Sequence, residues 1–265
     1  MPSDYLHGFS QKEQERLVKQ AQFLEDSIYK NIDFTQCANL LELGCGVGAQ
    51  TEILLRRFPR LKITSIDASQ TQLEKARERV TDPRVTFKIE DAKKLTFSPG
   101  SFDGIFVCWL LEHVPKPIEV LREANRVLKS GGKIYCSEVL NASLYLHPYS
   151  PATLRYWFAY SDHQWTIVGD PFVGAKLGNL LLGSGYSKID VQPIVFHYDN
   201  HTPKQRSEMF QYWSDLLLSG TDALVAAGKV DMDGVLAMKA ELETLKSAPD
   251  SVFFYSAIQA SATKV

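Results

Sequence analysis

Apolar positions along the chain change period at regular intervals, and those changes lay out its elements. Asn39 to Leu43 is an apolar run of strand length, and Ala49 to Phe58 carries Ile53, Leu54, Leu55 and Phe58 at helical spacing. Lys62 to Ile66 predicts a second strand ending at Asp67. Ser69-x-x-Gln72 then caps a helix running to about Val80. Asp82-Pro83 turns the chain into a third strand, Val85 to Ile89, which ends at Glu90-Asp91-Ala92. After Pro99-Gly100 comes a strongly apolar fourth strand, Phe102 to Cys108. Pro117 opens a helix reaching Leu128, Ser130-Gly131-Gly132 stops it, and Lys133 to Val139 is a fifth strand. Gly185 to Val195 and Ser251 to Ala262 predict a sixth and a seventh. Ahead of the first strand, Ser10-x-x-Glu13 is a capping box for a helix with Leu17, Val18, Ala21, Leu24 and Ile28 on its apolar face. Further helices begin near Ser150-Pro151 and at Thr202-Pro203, the latter with Met209, Phe210, Trp213, Leu216 and Leu217 on one face. Another covers about Asp233 to Leu245.

Strands alternating with helices at this pace imply a parallel sheet with helices on both faces, and ligands of such sheets bind beyond the carboxyl ends of the strands. Asp67, Asp91, the segment after Cys108 and Glu138 all fall on that edge. Gly44, Gly46 and Gly48 make the first strand-to-helix turn, where backbone can approach a ligand closely and the following helix presents free N–H groups. Gly44-Cys-Gly46-Val-Gly48-Ala49 also satisfies the dinucleotide fingerprint, and Asp67 lies at the distance of a ribose-binding acid. A nicotinamide enzyme and an S-adenosylmethionine (SAM) enzyme both need a carboxylate there. This turn alone leaves the two open.

Composition narrows the setting. A chain of 265 residues with 45% hydrophobic content can bury a full core as one elaborated domain, and a net charge of -2 exerts no long-range pull on nucleic acid or anionic lipid. Neither is expected as a partner. Cys37, Cys45, Cys108 and Cys136 form no C-x-x-C pair, which points to a reduced, cytoplasmic setting with no metal site. The start of the chain lacks the blocks of a signal peptide, and no apolar run reaches membrane-spanning length.

Five ordered motifs now make the picture specific. They are Leu41-Glu42-Leu-Gly44-Cys-Gly46-Val-Gly48, then Ile66-Asp67-Ala-Ser69, then Glu90-Asp91-Ala92. Ser101-Phe-Asp103-Gly-Ile-Phe with Leu111-Glu-His113-Val follows, and then Glu123-Ala-Asn-Arg-Val-Leu-Lys-Ser-Gly-Gly132. In these residues the stretch 39–140 resembles the core of class I SAM-dependent methyltransferases, especially the small-molecule subgroup similar to ubiquinone/menaquinone-biosynthesis methyltransferases. The resemblance implies a Rossmann-like seven-stranded α/β sheet, its last strand antiparallel between the fifth and sixth, with helices on both faces and helical lid insertions. It implies one domain over residues 1–265, an N-terminal helix or lid at 1–31, and acceptor-side insertions at 141–184 and 197–250. The second insertion is expected to be a lid or a dimerisation element, and monomer and homodimer both stay open.

The same resemblance assigns a SAM site. The backbone from Gly44 through Cys45 and Gly46 to Gly48 would lie against the methionyl part. Glu42 would meet the ligand's ammonium, through water or directly, or else brace the turn. Asp67 would accept both ribose hydroxyls, Gln72 would pack on adenine or ribose, and Asp91 and Ala92 would meet the adenine amino group and ring. Cys108 would offer its carbonyl to the ammonium. Gln50, Ala68, Glu90 and His113 complete the expected cofactor set.

A sulfonium methyl is already an activated electrophile, so holding a nucleophile in line is the main requirement, with a base where the acceptor must lose a proton. His113, His147 and Tyr5 are the candidate catalytic residues, with Tyr149, His163 and His197 as alternative bases. Tyr5, His7 and Gln11 are placed to close over a ligand. The first insertion is dense in aromatics, among them Tyr145, Tyr156, Trp157, Phe158, Tyr160 and Trp165, which suits a planar or apolar small-molecule acceptor. The expected activity is methyl transfer to N or O of such a metabolite by in-line displacement. A peptide or protein acceptor, or a SAM-binding module without turnover, are the alternatives.

Overall fold

The computed structural model describes His7, Gly8 and residues 10–265. The candidate catalytic residue Tyr5 lies outside the described residues. Helix α1 (Gln11–Tyr29) starts where the Ser10 hydroxyl accepts from the Glu13 N–H. The Glu13 carboxylate pairs with Arg16 at 2.6 Å.

A run of β1 (Asn39–Leu43), α2 (Ala49–Arg57), β2 (Lys62–Asp67), α3 (Gln70–Arg79) and β3 (Val85–Ile89) follows. Then come β4 (Phe102–Cys108), α4 (Pro117–Val127) and β5 (Leu128–Glu138). The pairings β1–β2, β2–β3, β1–β4 and β4–β5 are parallel, so β1 and β4 lie at the centre and their carboxyl ends share one edge. Near-continuous apolar strands produce two cores, one on each face. Leu40, Phe106 and Tyr135 point to the α1/α2 side, whereas Leu41, Ile105 and Ile134 point to α4. Strands buried on both faces carry this pattern.

The second half adds β6 (Tyr145–His147), α5 (Pro151–Thr166), α6 (Leu177–Gly183) and β7 (Tyr186–Tyr198). After these come α7 (Pro203–Ser219), α8 (Thr221–Ala226), α9 (Met232–Ser247) and β8 (Val252–Lys264). Strand β8 runs antiparallel to β5 over Ile258–Thr263 and to β7 along nearly its whole length. The sequence predicts seven strands, and those seven are present in the expected order. The sheet has an eighth, β6, which extends the β5 edge of β8 by pairing Tyr145–His147 with Val252–Phe254. Its three residues fall within the aromatic first insertion, where no alternation announces a strand. Helices α5, α7 and α9 pack on one another above the carboxyl edge, burying Trp157, Phe210, Trp213, Met238 and Leu242 in the α1-side core. None of the described helices is long and apolar enough to cross a membrane.

Candidate active site

The turn after β1 is built by positive φ at Gly44 (70°), Gly46 (51°) and Gly48 (75°). A Cβ on Gly46 would meet nothing within 4 Å, so its backbone borders open space, whereas one on Gly44 would strike Leu110 at 2.8 Å. The Gly46 N–H donates to Asp67 Oδ2 at 2.9 Å, and the Ser69 N–H donates to Oδ1 at 2.8 Å. Each carboxylate oxygen keeps further lone-pair capacity after one such bond. Burial pushes the Asp67 carboxyl above its usual value, and those backbone donors oppose the shift.

Glu42, one turn deeper, is buried beneath the glycines. Its Oε2 accepts from Thr51 at 2.5 Å and from Ser65 at 2.6 Å, while Oε1 has no partner. Burial raises this carboxyl to about 7. Glu138, at the end of β5, uses Oε1 to accept from the Leu110 and Leu111 N–H groups at 3.1 and 2.8 Å, and Oε2 has no partner. Burial, then the charge of Glu112, pushes Glu138 well above the usual carboxylate range. Trp109 follows β4 with φ 55°, and its indole N–H is buried without a partner. A non-glycine residue held there costs about 1–3 kcal/mol and marks a turn fixed by its surroundings.

Gly44, Gly46, Asp67 and Trp109 border a cavity of about 280 Å³. Of the expected cofactor residues, Gly44, Cys45, Gly46, Gln50, Asp67, Ala68, Gln72, Cys108 and His113 line it. Glu42, Gly48, Glu90, Asp91 and Ala92 do not. Glu90 accepts from Thr96, and Asp91 caps its own turn through the Lys93 N–H at 2.9 Å, with its side chain half exposed. Burial pushes the Cys108 thiol well up, which leaves it protonated and inert. His113 borders the cavity with Nε2 3.6 Å from Glu112 Oε1. His147 stands on β6, half exposed and 3.9 Å from Asp250, and is outside the cavity lining. His163, His197 and Tyr149 are likewise outside it.

The same cavity continues into an aromatic chamber. From the first insertion only Asn141, Trp157 and Tyr160 reach it; Tyr145, Tyr149, Phe158 and Trp165 are exposed. The second insertion supplies Met209, Tyr212, Trp213 and Leu216, and the final strands supply Phe196, Phe253 and Tyr255. Trp157 and Trp213 meet at 5.1 Å between ring centroids, and Trp213 and Tyr255 at 4.9 Å. Trp157 donates to the Asn141 carbonyl at 2.8 Å, whereas the Trp213 N–H is buried without a partner. The roof is His7, with Arg16, Leu17 and Leu24 of α1. Sequence reasoning does not single out Trp109, Asn141, Trp213 or Tyr255 as site residues. Only the aromatic spacing on α7 hints at one of them. Among the described residues no group of three or more His, Cys, Asp or Glu is placed to hold a metal.

A mostly parallel sheet with a glycine turn after β1, an acid ending β2 and an antiparallel closing strand is the fold this chain shares with solved methyltransferases. Residues 41–136 match a family model described as a methyltransferase domain. A demethylmenaquinone methyltransferase from Thermotoga maritima is 38% identical over 101 residues, 38% of this chain and 43% of that protein. A 27-O-demethylrifamycin SV methyltransferase from Amycolatopsis mediterranei is 30% identical over 138 residues, 51% of this chain and 50% of that one. The chain spans about half the length of the curated relatives it matches. Among solved structures, the phosphoethanolamine N-methyltransferase 2 of Haemonchus contortus bound to S-adenosylhomocysteine superposes with a TM-score of 0.56 at 20% identity. That match covers 94% of this chain and 52% of the other. The open backbone at Gly46 together with the spare acceptor capacity of Asp67 fits SAM.

Proposed function

We propose that this protein transfers a methyl group from SAM to an N or O atom of a small metabolite with a planar or apolar body. One observation carries the reading: the glycine turn and Asp67 border the same continuous cavity as the Trp157, Trp213 and Tyr255 chamber. SAM bound at the turn supplies a sulfonium methyl that needs no further activation. Asp67 would hold the ribose hydroxyls, the Gly44–Gly46 backbone would follow the amino-acid end, and Asp91 and Ala92, which lie outside the cavity lining, would meet the adenine. The chamber takes the acceptor, excludes water and sets its approach, so alignment is the main rate enhancement the chain can supply. The segments 141–184 and 197–250 act together as acceptor walls.

Titration calorimetry with S-adenosylhomocysteine tests the cofactor half. Asp67→Ala is expected to weaken binding by at least tenfold, as for loss of a charge-assisted pair worth about 1.5–3 kcal/mol. Production of S-adenosylhomocysteine with a panel of small aromatic hydroxyl and amine compounds tests the other half. An Asp67→Ala variant that is folded and binds as tightly as the original would overturn the site.

A further inference from the structure

The chamber holds a run of hydrogen bonds that the reading above leaves unused. At the end of α7 the Ser219 hydroxyl donates to the Leu216 carbonyl at 2.7 Å. The same oxygen lies 2.6 Å from His7 Nδ1. With its one proton committed to Leu216, Ser219 accepts from His7, so the imidazole carries its proton on Nδ1. Nε2 is then the lone-pair nitrogen, and the Tyr160 hydroxyl 2.7 Å away donates to it. Every link points one way, from Tyr160 to the Leu216 carbonyl. Tyr160 is buried and stacks on Trp157 at 5.2 Å with rings 14° apart, and both it and His7 line the cavity. Among the described residues, the groups facing His7 include Glu13-paired Arg16 on α1, His113 with Glu112 after β4, Tyr160 on α5 and Ser219 on α7. Burial, then the neighbouring Arg16 and His113, holds the imidazole well below its usual value, so it is neutral near pH 7 with a lone pair on Nε2.

We infer that Tyr160 and His7 are the proton-accepting pair of the reaction, with Ser219 as the residue that positions the imidazole, and that the acceptor group is a weakly acidic hydroxyl of the phenol or enol class. The inference rests on the methyltransferase reading and narrows its N-or-O choice to O. In the step, a lone pair of the acceptor oxygen forms the new bond to the methyl carbon as the carbon–sulfur bond breaks, its electron pair staying on sulfur. The hydroxyl proton moves to the Tyr160 oxygen while Tyr160's own proton moves to His7 Nε2. The resulting imidazolium is held at Nδ1–H by Ser219 and returns its proton to solvent after product leaves. An amine has no need of this relay, since its neutral lone pair attacks directly and its proton can leave afterwards.

The test combines a spectroscopic and a kinetic arm. Ring ¹⁵N spectra of histidine-labelled protein are expected to show His7 as the Nδ1–H tautomer at neutral pH, the signal being assigned by its absence in His7→Gln. Methyl transfer is then measured with substituted phenols of graded acidity and with matched anilines. His7→Gln and Tyr160→Phe should each lower kcat for phenols about a hundredfold or more, as loss of a general base does, with KM changed only a few-fold. The loss should shrink as the phenol becomes acidic enough to ionise unaided. Ser219→Ala, whose side chain is outside the cavity lining, should lower kcat several-fold at unchanged KM. Melting temperature and S-adenosylhomocysteine affinity, both expected to be kept, show that each variant is folded. An Nε2–H tautomer, unchanged phenol rates and pH profile in folded variants, or an unaltered protein that methylates only amines would overturn the inference and leave the methyltransferase reading standing. Failure of the unaltered protein to bind S-adenosylhomocysteine would remove that reading instead.

Discussion

Gly44 and Gly46 share a positive φ and stand two residues apart, yet they respond differently to a methyl group. On Gly44 the new Cβ meets Leu110 at 2.8 Å and must displace part of the cavity wall. On Gly46 it meets no protein atom and projects into the ligand's space. Gly46→Ala should therefore cost only about 1–2 kcal/mol of stability, the left-handed backbone penalty, while S-adenosylhomocysteine affinity falls at least tenfold. Thermal melting and titration calorimetry on the same variant separate the two. A variant destabilised but binding normally would show that the ligand does not approach this backbone. Asp67 and these glycines were legible in the sequence, because an acid ending a strand beside a glycine turn is a local pattern. Trp109 was not. Its positive φ and unpartnered indole N–H are products of how the turn after β4 is clamped by Glu138 through Leu110 and Leu111, contacts that span 27 residues or more of chain. The half-exposed turn at Asp91 was legible as an acid at a strand end, but its use of that acid to hold the Lys93 N–H depends on the local turn geometry.

At the scale of elements, α5 and α7 meet through Trp157 and Trp213, whose indole nitrogens differ in state. Trp157→Phe removes a donor and leaves the buried Asn141 carbonyl without that partner, a penalty of about 1–3 kcal/mol beyond the lost packing. Trp213→Phe deletes an N–H that has no partner to lose, so urea denaturation should show the smaller loss of the two. Equal losses would mean that ring volume alone decides. The apolar face of α7 was readable because Met209, Phe210, Trp213 and Leu217 recur at helical spacing and are all buried. What that face packs against was not readable. The second insertion was expected to cover the site or join two copies, and its aromatic side lines the cavity alongside residues of the first insertion. Helical period tells which side is buried and carries no information on the partner across it.

For the molecule as a whole, buried carboxyls give an unusual dependence on pH. Burial lifts Glu42 to about 7, so between its unfolded value near 4.5 and about 7 the folded state holds a proton that the unfolded chain releases. Its contribution is greatest below pH 4.5 and is lost as pH rises through 7, on the order of 3 kcal/mol in total. Glu138, raised further, acts with the same sign. His7, held low, acts in the opposite sense and destabilises the fold as pH drops below its ordinary value of 6.5. The difference between the original protein and Glu42→Gln isolates the first effect. Denaturation midpoints measured without ligand from pH 4.5 to 8 should fall less steeply in the variant, and parallel curves would show Glu42 to be ionised throughout. The seven principal strands were legible in the strand–helix alternation, and their order came with the resemblance carried by the five motifs. The eighth was not, since three residues give no period.

Strand β8 has a consequence for how the chain comes to be folded. Its thirteen residues follow β5, β6 and β7 in the chain, and all three pair with it. Until it emerges, three strands made earlier offer open edges to any neighbouring chain, and the slow closure of such distant pairings lengthens that exposure. A chain stopped before Val252 should accumulate as insoluble material even though residues 41–136 are intact, and supplying the missing strand as a separate peptide during refolding should recover part of it.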